Sequence, residues 1–240
     1  MFSEFSDLDL LAITAFFIAW FSYQVLFDGR LRSEHSLNSQ MLVLRRRWML
    51  RLLHRDNRIV DSTLVGHTIH SAAFFASTTM LVLAGLIGVL GSADRVYGAI
   101  SNISVLLGGG QPLFEWKLVL LIGIFIYAFF KFTWALRQFN YFCAVIGSAP
   151  PAPEDPAEAH AWALRMEAVL THAVTELNSG VRAYYFAFAA FAWFIHPLAF
   201  IAATLLMVLV LARRQLGSPT VRAVRAHAQA LSRENHPEKG

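Results

Sequence analysis

Apolar residues in this chain gather into four long runs separated by basic or polar loops. The runs are 8–27 (LDLLAITAFFIAWFSYQVLF), 67–90 (HTIHSAAFFASTTMLVLAGLIGVL), 117–136 (KLVLLIGIFIYAFFKFTWAL) and 183–212, the last interrupted at His196-Pro197. A hydrocarbon core ~30 Å thick needs ~20 mostly apolar residues in a helix. Each run therefore predicts a transmembrane helix, the fourth kinked where proline removes a backbone donor. The fold expected is an all-α integral membrane protein, with a polytopic helical domain over 1–216 and a polar basic tail over 217–240. Glu4, Asp7 and Asp9 stand where a signal peptide carries a basic region, so the first run is expected to stay as a membrane helix.

The connecting segments carry a helical period of their own. In the first loop Met41, Leu44, Trp48 and Leu52 recur at helical spacing among Arg45, Arg46, Arg47, Arg51 and Arg55, a basic amphipathic helix suited to an anionic leaflet. In the third loop Pro150-Pro151-Ala152-Pro153 forms a rigid turn and Asp155-Pro156 reads as a cap and first position of a helix. Its apolar stripe runs through Trp162, Met166, Val169, Leu170, Ala173, Val174 and Leu177, and Asn178-Ser179-Gly180 is expected to end it.

Composition agrees. Of 240 residues, 56% are hydrophobic and 15% charged, against ~45–50% and ~25% in soluble domains. That excludes an ordinary soluble enzyme and a disordered chain alike. One cysteine, Cys143, excludes an internal disulfide and a thiolate metal cluster.

Lysine and arginine set the orientation. The first loop holds Arg30, Arg32, Arg45, Arg46, Arg47, Arg51, Arg55 and Arg58, while the outer side has Arg95 and Lys117. The N-terminus should thus face outward, and the first and third loops should face the cytoplasm from the inner (plasma) membrane. The tail resists this scheme. Four spans place it outside, a count of 11 basic residues inside against 8 outside; placed inside, it makes the count 17 against 2. An inside tail requires a hairpin at His196-Pro197, whose halves of 13 and 15 residues are short for two spans at ~1.5 Å per residue. A single kinked helix is the preferred reading.

Ionisable groups within a span point to function by default. Lys131 lies about 21 Å from the outer end of the third span, and Tyr127, Lys131, Trp134, Gln138 and Tyr141 share one helix face. Two readings of Lys131 stand: snorkelling to the inner headgroups, or an anion-binding lysine shared with Arg137. His67 and His70, at i and i+3, open the second span, and interfacial capping is the commoner role for such a pair. A haem between His70 and His196 is rejected, because the two lie about 5 and about 20 Å deep. No metal and no cofactor is expected. His196 is expected to bond a carbonyl freed by Pro197. Arg182 and Tyr184 fall where basic and aromatic anchors are expected. Taken together, Lys131, Trp134, Arg137, Gln138, Tyr141, Arg182, Tyr184, His67 and His70 would line one cytoplasmic-side recess, basic and aromatic-walled, able to hold a phosphate or carboxylate.

Several chemistries lack their residues. Gly108-Gly109-Gly110 has no lysine for a phosphate cradle, no nucleophile elbow is present, and the spans hold no carboxylate beyond Asp9. A nucleic-acid reading of the arginine run is weaker than a membrane one, since the run sits between two spans.

Two stretches, KFTWALRQFNY from Lys131 and NSGVRAYYF from Asn178, resemble a family of bacterial and plant polytopic membrane proteins catalogued only as a domain of unknown function. The resemblance covers roughly the first span through the fourth. It implies a fold and no reaction. The function expected is therefore a non-enzymatic inner-membrane protein that binds an anionic lipid or small anion, alone, as a homo-oligomer or as a subunit of a larger membrane complex. The alternatives are a small oligomeric transporter or channel, and a headgroup-modifying enzyme with His67 or His70 as base, for which no complete nucleophile, base and orienter set can be named.

Overall fold

The structure is a computed structural model and describes residues 5–27, 36–100 and 110–235. Glu4, Arg30, Arg32, Gly108, Gly109 and Lys239 lie outside the described residues. The elements are α1 (Asp7–Phe27), α2 (Leu37–Leu53), α3 (Ile59–Gly91), α4 (Ala93–Ile100), α5 (Gln111–Gly147), α6 (Pro156–Phe191), a 3-10 turn (Ala192–Phe194), α7 (Pro197–Leu216) and α8 (Pro219–Asn235). Four helices are long and apolar enough to cross a membrane: α1, α3, α5 and the segment Pro197–Leu231 opened by α7. Contacts divide the chain into two compact units. The first contains residues up to Tyr23, Ser71–Trp134 and Glu176–Leu209; the second contains Gln24–His70, Ala135–Thr175 and the chain from Val210.

In the first unit α1 is apolar all round, as a lipid-facing helix must be. It buries Ala12, Phe16, Trp20 and Tyr23 and exposes Leu11, Ile18, Phe21 and Val25. Its start is a capping box: Asp9 N–H donates to Ser6 Oγ at 3.2 Å while Asp9 Oδ2 accepts from Ser6 N–H at 3.1 Å. The core beside it is aromatic. Trp20 stacks on Phe186 with ring centres 5.0 Å apart, and Phe75 stacks on Phe132 at 5.3 Å. Lipid tails are as apolar as leucine, so burial from water does not hold such a core; close packing and interhelical hydrogen bonds do. The short α4 packs Ala93, Val96 and Tyr97 against Phe114 and Leu118 of α5.

The course of the chain past His196-Pro197 differs from the single kinked span expected. The C-terminal half of α6 runs antiparallel to α1, with Arg182 at Tyr23, Phe186 at Trp20 and Phe16, and Trp193 at Asp9. The ring of Phe16 also meets Phe200 at 5.0 Å. In one continuous helix Phe186 and Phe200 would stand about 21 Å apart along the axis. One phenylalanine touches both, so the chain folds back. Segment 183–212 is thus a helical hairpin rather than one continuous helix. The hairpin looked too short only because α6 was expected to stop at Asn178-Ser179-Gly180. Instead it runs unbroken to Phe191, and Gly180 serves close approach: a Cβ there would lie 2.5 Å from Cε1 of Phe132. His196 does not bond a freed carbonyl. Its Nδ1 accepts from the N–H of Leu198 at 3.1 Å, capping α7, with Pro197 at the first helical position.

In the second unit α2 starts at an N-cap, Ser36, whose hydroxyl accepts from Ser39 N–H at 3.3 Å. It buries Met49, Leu52 and Leu53 and packs against α8. That contact places α8, which forms the start of the tail, beside the helix of the first loop. α3 begins at Ile59, two turns before His67, and the end of α5 is closed by Arg58, which donates to the carbonyls of Ile146, Ala149 and Pro150 at 3.2, 2.9 and 2.9 Å. An arginine there satisfies helix-terminal acceptors and suits the negative end of the dipole. α6 starts as expected, with Asp155 accepting from Ala157 N–H at 2.9 Å.

Candidate functional site

Of the nine candidate residues, Lys131, Trp134, Arg182 and Tyr184 belong to the first unit, and Arg137, Gln138, Tyr141, His67 and His70 to the second.

In the first unit three of the four are engaged with other side chains. Lys131 Nζ donates to Glu176 Oε2 of α6 at 2.8 Å and sits 5.5 Å from the ring centre of Tyr127. Neither partner is fully enclosed, with side-chain exposures of 28% and 23%. The lysine is therefore held by a carboxylate, neither snorkelling freely nor presenting an unpaired charge. Arg182 is buried; it donates to Ser179 Oγ at 2.8 Å and lies over Tyr23 at 5.9 Å. Tyr184 meets Phe75, Phe125 and Phe132 in edge contacts, with its hydroxyl 2.8 Å from Thr79 Oγ1. Thr79 directs its own hydrogen to the carbonyl of Phe75 at 2.6 Å, so Tyr184 is the donor in that pair. Trp134 is exposed.

In the second unit Arg137 Nε donates to Tyr141 Oη at 2.7 Å, one turn along α5, and both are exposed. Gln138 is half-buried, and His67 and His70 are exposed on α3. Among the described residues no three His, Cys, Asp or Glu side chains converge on a point a metal could occupy. This unit also gathers arginines: Arg45, Arg46, Arg47 and Arg51 on α2, which has no carboxylate, and Arg222 and Arg225 on α8. Buried Asp61 accepts from Trp48 Nε1 at 2.6 Å and from Arg55, fixing the turn between α2 and α3. Arg45 donates to Thr171 Oγ1 at 3.2 Å, and Thr171 donates to the buried carboxylate of Glu167 at 2.5 Å.

Sequence reasoning missed Glu176, Asp61 and Glu167. Glu176 lies 45 positions from Lys131, beyond any local periodicity. It becomes legible only if α6 is read through Gly180, which brings an opposite charge to the depth of the lysine. Asp61 was hidden because the second span was started at His67.

Four helices able to cross a bilayer, and a further polar segment whose charges are buried or paired in protein, define a polytopic helical membrane protein. Residues 11–220 match the family described as "Protein of unknown function, DUF599", and the chain belongs to that family. The match runs from α1 into α8 and includes both polar stretches, from Lys131 and from Asn178. No curated protein and no solved structure matches the chain.

Proposed function

We propose that this chain is a non-enzymatic protein of the inner membrane, with α2 and α8 toward the cytoplasm, that binds anionic lipid headgroups through the basic surface of those helices. The observation that carries the reading is the pairing of α2 with α8. Two arginine-bearing helices from distant parts of the chain repel one another unless anions lie nearby, and each basic group near an anionic leaflet is worth about 1 kcal/mol. Arg51, Arg213, Arg214 and Arg222 are exposed, as are Trp134 and Tyr141, residue types that favour the headgroup level. The transporter reading draws less support. Discontinuous transport helices line a cavity, whereas the break at His196-Pro197 is capped and has Trp193 and Phe200 packed beneath it.

The test is lipid analysis of protein extracted in mild detergent. Phosphatidylglycerol and cardiolipin should be enriched over bulk membrane with wild type, and the enrichment should fall when Arg51, Arg213, Arg214 and Arg222 are changed to Gln and as salt is raised. Identical lipid composition in both proteins would refute the proposal.

A further inference from the structure

Between α2, the chain leading into α6, and the end of α8 lies an open groove of about 570 Å³ within the second unit, a volume in the range of small-ligand sites. Arg46, Arg47, His54 and His160 line it, against one carboxylate among the described residues, Glu154. Its apolar wall is Val43, Leu50 and Leu231. The exposed Arg51, Arg213, Arg214 and Arg222 do not line it.

Arg46 is the anomaly. It stands three positions before Met49 and seven before Leu53, on the face of α2 that is buried. A helix ordinarily keeps arginine off that face. Arg46 Nε is buried and has no hydrogen-bond partner, a donor that costs stability until something accepts from it. His54 adds a second directed group. Its Nδ1 lies 2.9 Å from the carbonyl of Leu50; a carbonyl only accepts, so the proton is on Nδ1 and Nε2 is left for another partner.

We propose that this groove is a binding site for a phosphodiester whose alcohol carries a hydroxyl or ammonium group. Two neighbouring guanidinium groups offer forked N–H donors that match phosphate oxygens. Glu154 repels a bare phosphate dianion and accepts from a hydroxyl or ammonium on the ester, and the apolar wall takes the hydrocarbon of the alcohol or of an acyl glycerol. The proposal rests on the reading that this side of the protein meets headgroups, and it narrows that reading to one stoichiometric site. A phospholipid headgroup and a soluble phosphodiester share the chemistry, so the test separates them.

Full-length protein in a non-ionic detergent is titrated with dioleoyl phosphatidylglycerol, with dioleoyl phosphatidylcholine, and with soluble glycerophosphoglycerol, and binding is read by native mass spectrometry and calorimetry. Wild type should take one equivalent of phosphatidylglycerol and little phosphatidylcholine, whose ammonium has no hydrogen to donate. Arg46→Gln with Arg47→Gln should weaken that binding about tenfold or more, and Val43→Trp should block it with both arginines in place. Neutralising Arg51, Arg213, Arg214 and Arg222 should leave the single equivalent unchanged while reducing the looser enrichment. Glycerophosphoglycerol binding as one equivalent supports a soluble ligand; binding of the lipid alone supports a headgroup. Equal losses in the groove variants and the surface variants overturn the groove and leave the surface reading intact. Binding unaffected by any variant overturns both.

Discussion

A methyl group at position 180 would sit 2.5 Å from a carbon of the Phe132 ring, and Phe132 is itself fully buried. The ring cannot swing away, because Phe75 stacks on it and Tyr184 meets it from α6. Gly180→Ala should therefore destabilise the detergent-solubilised protein by about 1–3 kcal/mol. Adding Phe132→Leu should recover part of that loss, although Phe132→Leu alone is destabilising. Thermal denaturation of the single and double variants reads this directly; strictly additive effects would exclude the clash. At this scale the sequence was half legible. The residues of the two polar stretches stood out by type, and Gly180 stood out as punctuation. Its actual role, letting two helices approach, depends on a neighbour 48 positions earlier (180 minus 132) that no local pattern names. Lys131 was legible as an expensive residue and illegible as a paired one for the same reason.

The hairpin of α6 and α7 is where an element-level rule misled. Gly after a polar pair commonly ends a helix, and Arg182 and Glu176 lower the hydropathy of the segment, so the C-terminal half of α6 does not read as a continuation of the loop helix before it. Its charges are tolerated because Ser179, Tyr23 and Lys131 engage them within protein. The proline break was legible; its direction was not, because proline states that a helix ends and says nothing of where the chain goes next. His196 is the cap that starts the return. His196→Ala should cost about 1 kcal/mol and speed hydrogen exchange at the amides of the first turn of α7, while His196→Asn should keep both near wild type. Unchanged exchange in His196→Ala would show that Pro197 and packing suffice without the cap.

For the molecule as a whole, the four long apolar runs and the all-helical architecture were legible from hydropathy, because lipid demands it of any helix that faces it. Charge and span counting disagreed on the tail, and the finding that bears on it, α8 lying on α2, depends on a long-range contact that neither count contains. An arrangement with the tail and first loop on one side would give a sequence count of 17 basic residues there against 2 on the other. Reporter fusions test the arrangement. Green fluorescent protein fused after Leu216 and in the first loop should fluoresce at both sites, and alkaline phosphatase at either site should be inactive. A phosphatase-active tail with a fluorescent first loop would contradict the fold-back.

The partnership of α2 and α8 also orders events in time. α8 leaves the ribosome after α2, about 166 residues later (219 minus 53). At ~5–20 residues per second the interval is about ten to thirty seconds. Throughout it α2 waits without the helix that packs on it, with Arg46 on the face that is buried in the folded protein. On the proposed headgroup reading, lipid reaches α2 before α8 does, and α8 packs onto a surface already occupied.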